Sequence, residues 1–151
     1  MSLMVQAYRR DPLTNEQVVL VPTPPRNDLA GFETWRRTVY GCVTMRQLGL
    51  QLLPSLAERN IMAEGEDLAQ LRREVEIVLA NLPAIAVDAA APRKRLVLGL
   101  FVVHAPNDAK AEPVPRDLAA EESIRFRLEN IWEAIRLAQQ QTEGIGGVYI
   151  G

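Results

Sequence analysis

An amphipathic helix that ends at glycines and runs straight into a short apolar strand constrains this chain most. Ile124, Leu128, Ile131, Ile135 and Ala138 recur at alternating steps of four and three, a spacing that lines one face of a helix. The helix is expected over residues 121–141. Gly144, Gly146 and Gly147 break it, and Val148-Tyr149-Ile150 follows as a strand. Glycines after a helix supply the left-handed cap that lets a chain reverse. A terminus built this way must pack against something, so the rest of the chain is read for its partners.

An N-terminal β-hairpin is the first. Val5-Gln6-Ala7-Tyr8 alternates, Asp11-Pro12-Leu13-Thr14-Asn15 carries turn chemistry, and residues 17–21 are rich in β-formers. Pro22, Pro24 and Pro25 end the second strand. A helix capped by Asn27 or Asp28 is expected next, with Leu29, Phe32, Trp35 and Val39 on one face. Shorter helices are expected between Gly41 and Gly49 and near Pro54, and a brief strand at Ile61-Met62-Ala63. Glu64, Glu66 and Asp67 place negative charge at the start of a clearer helix, whose stripe is Leu68, Leu71, Val75, Val78, Leu79 and Leu82. Ala89-Ala90-Ala91-Pro92 reads as a connector, Leu96 to Val103 equally as a buried strand or a short helix, and Pro106 to Pro115 as an exposed loop.

The expected fold is therefore α+β. An N-terminal hairpin and a C-terminal strand form a small antiparallel or mixed sheet, with several helices packed on one face. Met1-Ser2-Leu3-Met4 suggests a cloning leader over residues 1–3, leaving 4–151 as a single globular domain. A length of 151 residues suits one domain, and such a domain buries roughly 68–70% of the surface its unfolded chain exposes.

Composition removes several classes of function. A net charge of −2 gives no basic surface for tracking phosphates, so no nucleic acid is expected as partner. No run approaches the roughly 18 apolar residues of a membrane span, so no membrane is expected either. The single cysteine, Cys42, forbids an internal disulfide and fits a reducing cytoplasm.

Chemistry-bearing residues are few. His104 is the only histidine, so any Ser-His-Asp or Cys-His site would have to use it. Its place after an apolar run and before Ala105-Pro106 reads as a strand end. Cys42 reads as a buried core thiol, since free cysteine is among the most buried residues. One histidine and one cysteine do not make a zinc site, and no metal or cofactor is expected. The glycines at 144–147 have the wrong polarity for a phosphate loop, because they follow a helix instead of leading into one. Glu129 and Glu133 lie four apart on the last helix, with Arg125 and Arg136 spaced to pair with them as solvent decoration. Arg36 and Arg37 follow Trp35. Trp132 lies one position off the buried stripe and Phe126 on another flank. Trp, Tyr and Arg dominate binding hot spots, and an exposed aromatic beside Arg136 suits an interface. Trp132, Phe126, Glu129, Glu133, Arg136, Arg36 and Arg37 are thus the candidate interface residues.

Three pieces of the chain resemble small uncharacterised bacterial proteins. They are Ala30-Gly31-Phe32-Glu33-Thr34-Trp35-Arg36, Leu48-Gly49 through Leu53-Pro54-Ser55-Leu56-Ala57, and Arg127-Leu128-Glu129-Asn130-Ile131 through Gly146-Gly147-Val148-Tyr149-Ile150. Some proteins of this look resemble immunity proteins of contact-dependent toxin systems. The resemblance implies a single cytoplasmic domain that acts by binding, and it brings no catalytic residues. The leading expectation is a non-enzymatic protein-binding module, immunity-like, that inhibits a bacterial effector. The alternative is a small enzyme or small-molecule-binding domain in which Glu129, Glu133, Arg36 and Arg37 converge. A homodimer through the last helix is a third reading, although five stripe positions are too few for a coiled coil.

Overall fold

The alternation of Leu3, Val5 and Ala7 against Met4, Gln6 and Tyr8 sets one row of side chains toward helices and the other away from them. The computed structural model describes residues 1–98 and 117–151, with 91–98 as backbone alone. The first strand, β1 (Ser2–Arg10), buries Leu3, Val5 and Ala7. It starts earlier than the hairpin pattern suggests. Leu3 is fully buried and Ser2 pairs with Phe32, so residues 2 and 3 are part of the fold whatever their origin. The hairpin closes with β2 (Gln17–Leu20), antiparallel, with Ala7 opposite Leu20 and Arg10 opposite Gln17. Its turn is built as the sequence implies. The Asp11 carboxylate accepts from the amides of Leu13 (2.8 Å) and Thr14 (3.2 Å), and Asn15 takes a left-handed φ of 59°.

The helix expected after Asn27 is absent. Leu29–Phe32 is instead β3, antiparallel to the start of β1, and a π-type helical turn over Arg36–Tyr40 follows. Gly31 sits at φ +142°, outside any helix, and the Trp35 ring occupies the space a Cβ would need. Asn27 closes a local turn onto the Leu29 amide (3.0 Å), which ends the linker without opening a helix. Two short helices come next, α1 (Val43–Gln47) and α2 (Leu52–Ser55). Neither is capped by its own N-cap side chain. Both are followed by β4 (Ile61–Glu64), then by α3 (Glu66–Leu79) and α4 (Leu82–Leu98).

Residues 89–92, read as a connector, lie inside α4, where the run of alanines favours helix. Leu96–Leu98 are helical too. The remainder of the Leu96–Val103 segment, the Pro106–Pro115 loop and His104 lie outside the described residues. The last helix, α5 (Leu118–Gln139), is capped by the Asp117 side chain, which accepts from the Ala120 amide at 3.0 Å. All five residues of its expected stripe are buried.

The final strand, β5 (Ile145–Ile150), lies inside the sheet. It pairs antiparallel with β1 on one side, Val5 opposite Ile150, and with β4 on the other, Ile61 opposite Ile150. The order is β2-β1-β5-β4, with β3 on the same side of β1 as β2. The sheet is antiparallel throughout. Val5, Ala7, Ile61, Ala63, Val148 and Ile150 share one core with the stripes of α3 and α5. On the opposite face the Tyr8 ring lies over Gly147, and its hydroxyl donates to Glu64 at 2.7 Å. Arg10 donates to the same carboxylate through Nε (3.1 Å) and Nη2 (2.7 Å).

A candidate binding cleft beside the last helix

Along one side of β1 the neighbour changes. Ala7 to Arg10 pair with β2, whereas Ser2 to Met4 pair with β3. Residues 21–28 leave the sheet between these two partners, through a cis Pro24-Pro25 bond. The backbone returns where the Val5 amide donates to the Asp28 carbonyl at 2.8 Å. Asn130, fully buried on α5, pins this excursion. Its Nδ2 donates to Asn27 Oδ1 (2.7 Å) and to the Leu29 carbonyl (2.9 Å), while its Oδ1 accepts from the Asn27 amide (3.2 Å). Every polar atom of that amide group thus has a partner, as burial demands.

The excursion, β1, β2 and α5 enclose a cleft of about 340 Å³. Its walls are mostly aliphatic, with Gln6, Arg26, Asn27, Asp28 and Asn130 as polar members. That mixture is typical of small-ligand sites. The Arg26 guanidinium stacks 4.5 Å from the centre of the Phe126 ring, and its Nη1 donates to Glu129 at 2.8 Å. Arg127 lies 5.4 Å from the same ring and 6.0 Å from that of Phe32. Two arginines and two phenylalanines therefore form one continuous wall beside the cleft.

Of the candidate interface residues, Phe126 and Glu129 stand at this wall. Glu133 is buried and held by Arg136 through two bonds of 2.6 and 2.8 Å. That pairing, with a smaller contribution from Arg26, holds its carboxyl below the usual range. Trp132 is on the other flank of α5, half-buried, with the Arg72 guanidinium 5.6 Å from its ring. Arg72 in turn reaches Glu76 and Gln139.

Arg36 is committed to structure. It donates to the carbonyls of Leu56 (3.1 Å) and Arg59 (3.4 Å), to Asn60 Oδ1 (2.7 Å) and to Glu33. Arg37 is exposed on the π-type turn. Glu129, Glu133, Arg36 and Arg37 do not bond to one another.

Cys42 is buried and its thiol is pushed up to about 11, chiefly by burial, with Asp88 adding to the rise. An activated thiolate needs the reverse surroundings. Among the described residues there is no group of three or more histidine, cysteine or acidic side chains placed to hold a metal. Nor is any described helix long and apolar enough to cross a membrane.

Sequence reasoning missed Arg26 and Asn130 and misassigned Asn27 and Asp28. The one available signal was Asn130, an amide between the buried Leu128 and Ile131. No protein-family model, curated protein or solved structure matches the chain.

Proposed function

We propose that the chain is a non-enzymatic protein-binding module that receives an extended segment of its partner along the outer edge of β2. One observation carries the reading. Among the described strands β2, like β3 and β4, has a neighbour on one side only, and it is the edge where exposed apolar residues cluster: Val18 is 43% exposed, Val19 57%, Val21 80% and Leu13, at the hairpin tip, 94%, whereas β3 and β4 expose one each, Phe32 and Met62. Residues 17–21 contain neither a charge nor a proline. Edge strands are usually guarded by one or the other, because unpaired N–H and C=O groups invite another chain. Strand addition satisfies those groups, and apolar side chains on the added segment cover the valines. The arginine–phenylalanine wall beside the cleft has residue types enriched at protein interfaces and adjoins the same surface through Val19 and Val21. An immunity-like role toward a bacterial effector would use such a surface, and that identity rests on the resemblance alone.

Selection from a displayed library of short peptides tests the reading. Binders should alternate apolar and polar residues and should lose at least tenfold in affinity against Val18→Glu. That substitution sits opposite Arg9 on an exposed strand and leaves the core untouched. Recovering no binders, or binders indifferent to Val18→Glu, would overturn it. A dimer in sedimentation that Val18→Glu dissociates would make the partner a second copy of the chain.

A further inference from the structure

The cleft beneath residues 21–28 carries one carboxylate that the fold leaves uncommitted, Asp28, and one guanidinium that it commits only in part, Arg26. Glu129 engages only Nη1 of Arg26, as does the Phe126 carbonyl (3.4 Å). The Nε and Nη2 groups have no acceptor among the described residues. Those two nitrogens form the edge of a guanidinium that takes a carboxylate in a two-pronged grip. Asp28, two residues on, lines the same cleft, and its carboxylate has no hydrogen-bond or ion-pair partner among the described residues. Arg26 and Asp28 do not pair with each other, although each is half-buried. Around them Val5, Ala7, Leu20 and Leu137 supply aliphatic wall.

We propose that this cleft binds a free amino acid with an apolar side chain, its carboxylate on Arg26, its ammonium on Asp28 and its side chain against the aliphatic wall. The charge pattern selects the class. A purely apolar ligand would strip water from Asp28 and give nothing back, which is costly for a charge. A simple anion would meet Asp28 and a simple cation would meet Arg26. A zwitterion meets both with the right sign, and a volume of about 340 Å³ lies at the small end of ligand sites. The cleft shares Val19, Leu20 and Val21 with the strand-docking surface, but its charged contacts come from Arg26 and Asp28, so Asp28→Asn tests this site and Val18→Glu tests the docking edge.

Titration of the isotope-labelled full chain with L-leucine, L-valine and L-methionine at millimolar concentration, followed by amide NMR shifts, tests the proposal. Saturable shifts should cluster at Val5, Ala7, Leu20, Asp28 and Leu137. N-acetyl-L-leucine lacks the ammonium and L-leucinamide the carboxylate, so each should bind about tenfold or more weakly than leucine. Asp28→Asn should reduce leucine affinity by a similar factor while leaving the leucinamide-to-leucine comparison as a test that needs no variant. No saturable shifts with any of the three amino acids, or blocked analogues that bind as tightly as leucine, would overturn it.

Discussion

Glu74 shows how a single side chain stands in for a missing local signal. Cys42 and Gln51, the N-cap residues of α1 and α2, give no side-chain cap. The caps arrive from elsewhere in the chain. Asp88 of α4 accepts from the Thr44 amide at 2.7 Å, and Glu74 of α3 accepts from the amides of Gln51 (2.6 Å) and Leu52 (2.9 Å). Burial pushes the Glu74 carboxyl above its usual value, and the backbone amides pull it part of the way back. Replacing Glu74 with alanine leaves two amides without their acceptor and should cost about 1–3 kcal/mol in denaturant unfolding. A loss well below that range would mean that water reaches those amides. Glu64 acts in the other sense. The hydrogen bond from Arg10 holds its pKa below the ordinary 4.5. Its contribution is therefore complete above 4.5 and disappears as pH falls through the depressed value. The stability gap between the native chain and Glu64→Gln should shrink on acidification across that window, and a gap independent of pH would remove the Arg10–Glu64 pair from the account. Neither contact was legible in the sequence. Arg10 and Glu64 are 54 positions apart, and no periodicity links a strand end to a carboxylate on a different strand.

At the scale of elements, legibility followed the length of the pattern. The five-position stripe of α5 and five of the six residues expected on α3 specify real helices, because many residues agree on one period. The sixth, Leu82, opens α4, and Pro83 lies in that helix's first turn instead of ending α3. Leu29, Phe32, Trp35 and Val39 also agree on a helical period, yet the segment is strand and π-type turn. Four residues were too few to outweigh pairing with β1 and the φ of Gly31. The glycines of the last segment were read as a helix cap, and Gly144 at φ +83° has that backbone. Gly146 has a different reason. A Cβ there would collide with the Ala138 carbonyl at the end of α5, so β5 can lie against that helix only with glycine at this position. Gly146→Ala should lower stability by about 1–3 kcal/mol, as overpacking of a tight contact does, and thermal unfolding would show it. An unchanged Tm would mean that β5 and the end of α5 are farther apart than described.

The described residues form two layers, an antiparallel sheet with helices packed against it, and this much follows from a hairpin, a terminal strand and amphipathic helices. The interior place of β5 does not, since nothing local says that Ile61–Glu64 will pair on its far side. The candidate surface was less legible still. The cleft draws on β1, β2, residues 21–28 and α5, which are far apart in sequence. Phe126 is legible as an aromatic on a flank of the last helix, and Glu129 through its four-residue spacing to Glu133. Arg26, which ties them to the cleft, sat unnoticed in a proline-rich linker. Trp132 was chosen by the same reasoning, and the fold sets it on the opposite flank beside Arg72.

The central claim is that β2 is the docking edge. Backbone hydrogen exchange of the full chain, alone and with a selected peptide, tests it most directly. The account predicts added protection concentrated in Gln17–Val21, where open amides gain partners, with smaller changes at Phe126 and Phe32. Protection that appears around Trp132 and α3 while β2 exchanges as before would contradict it.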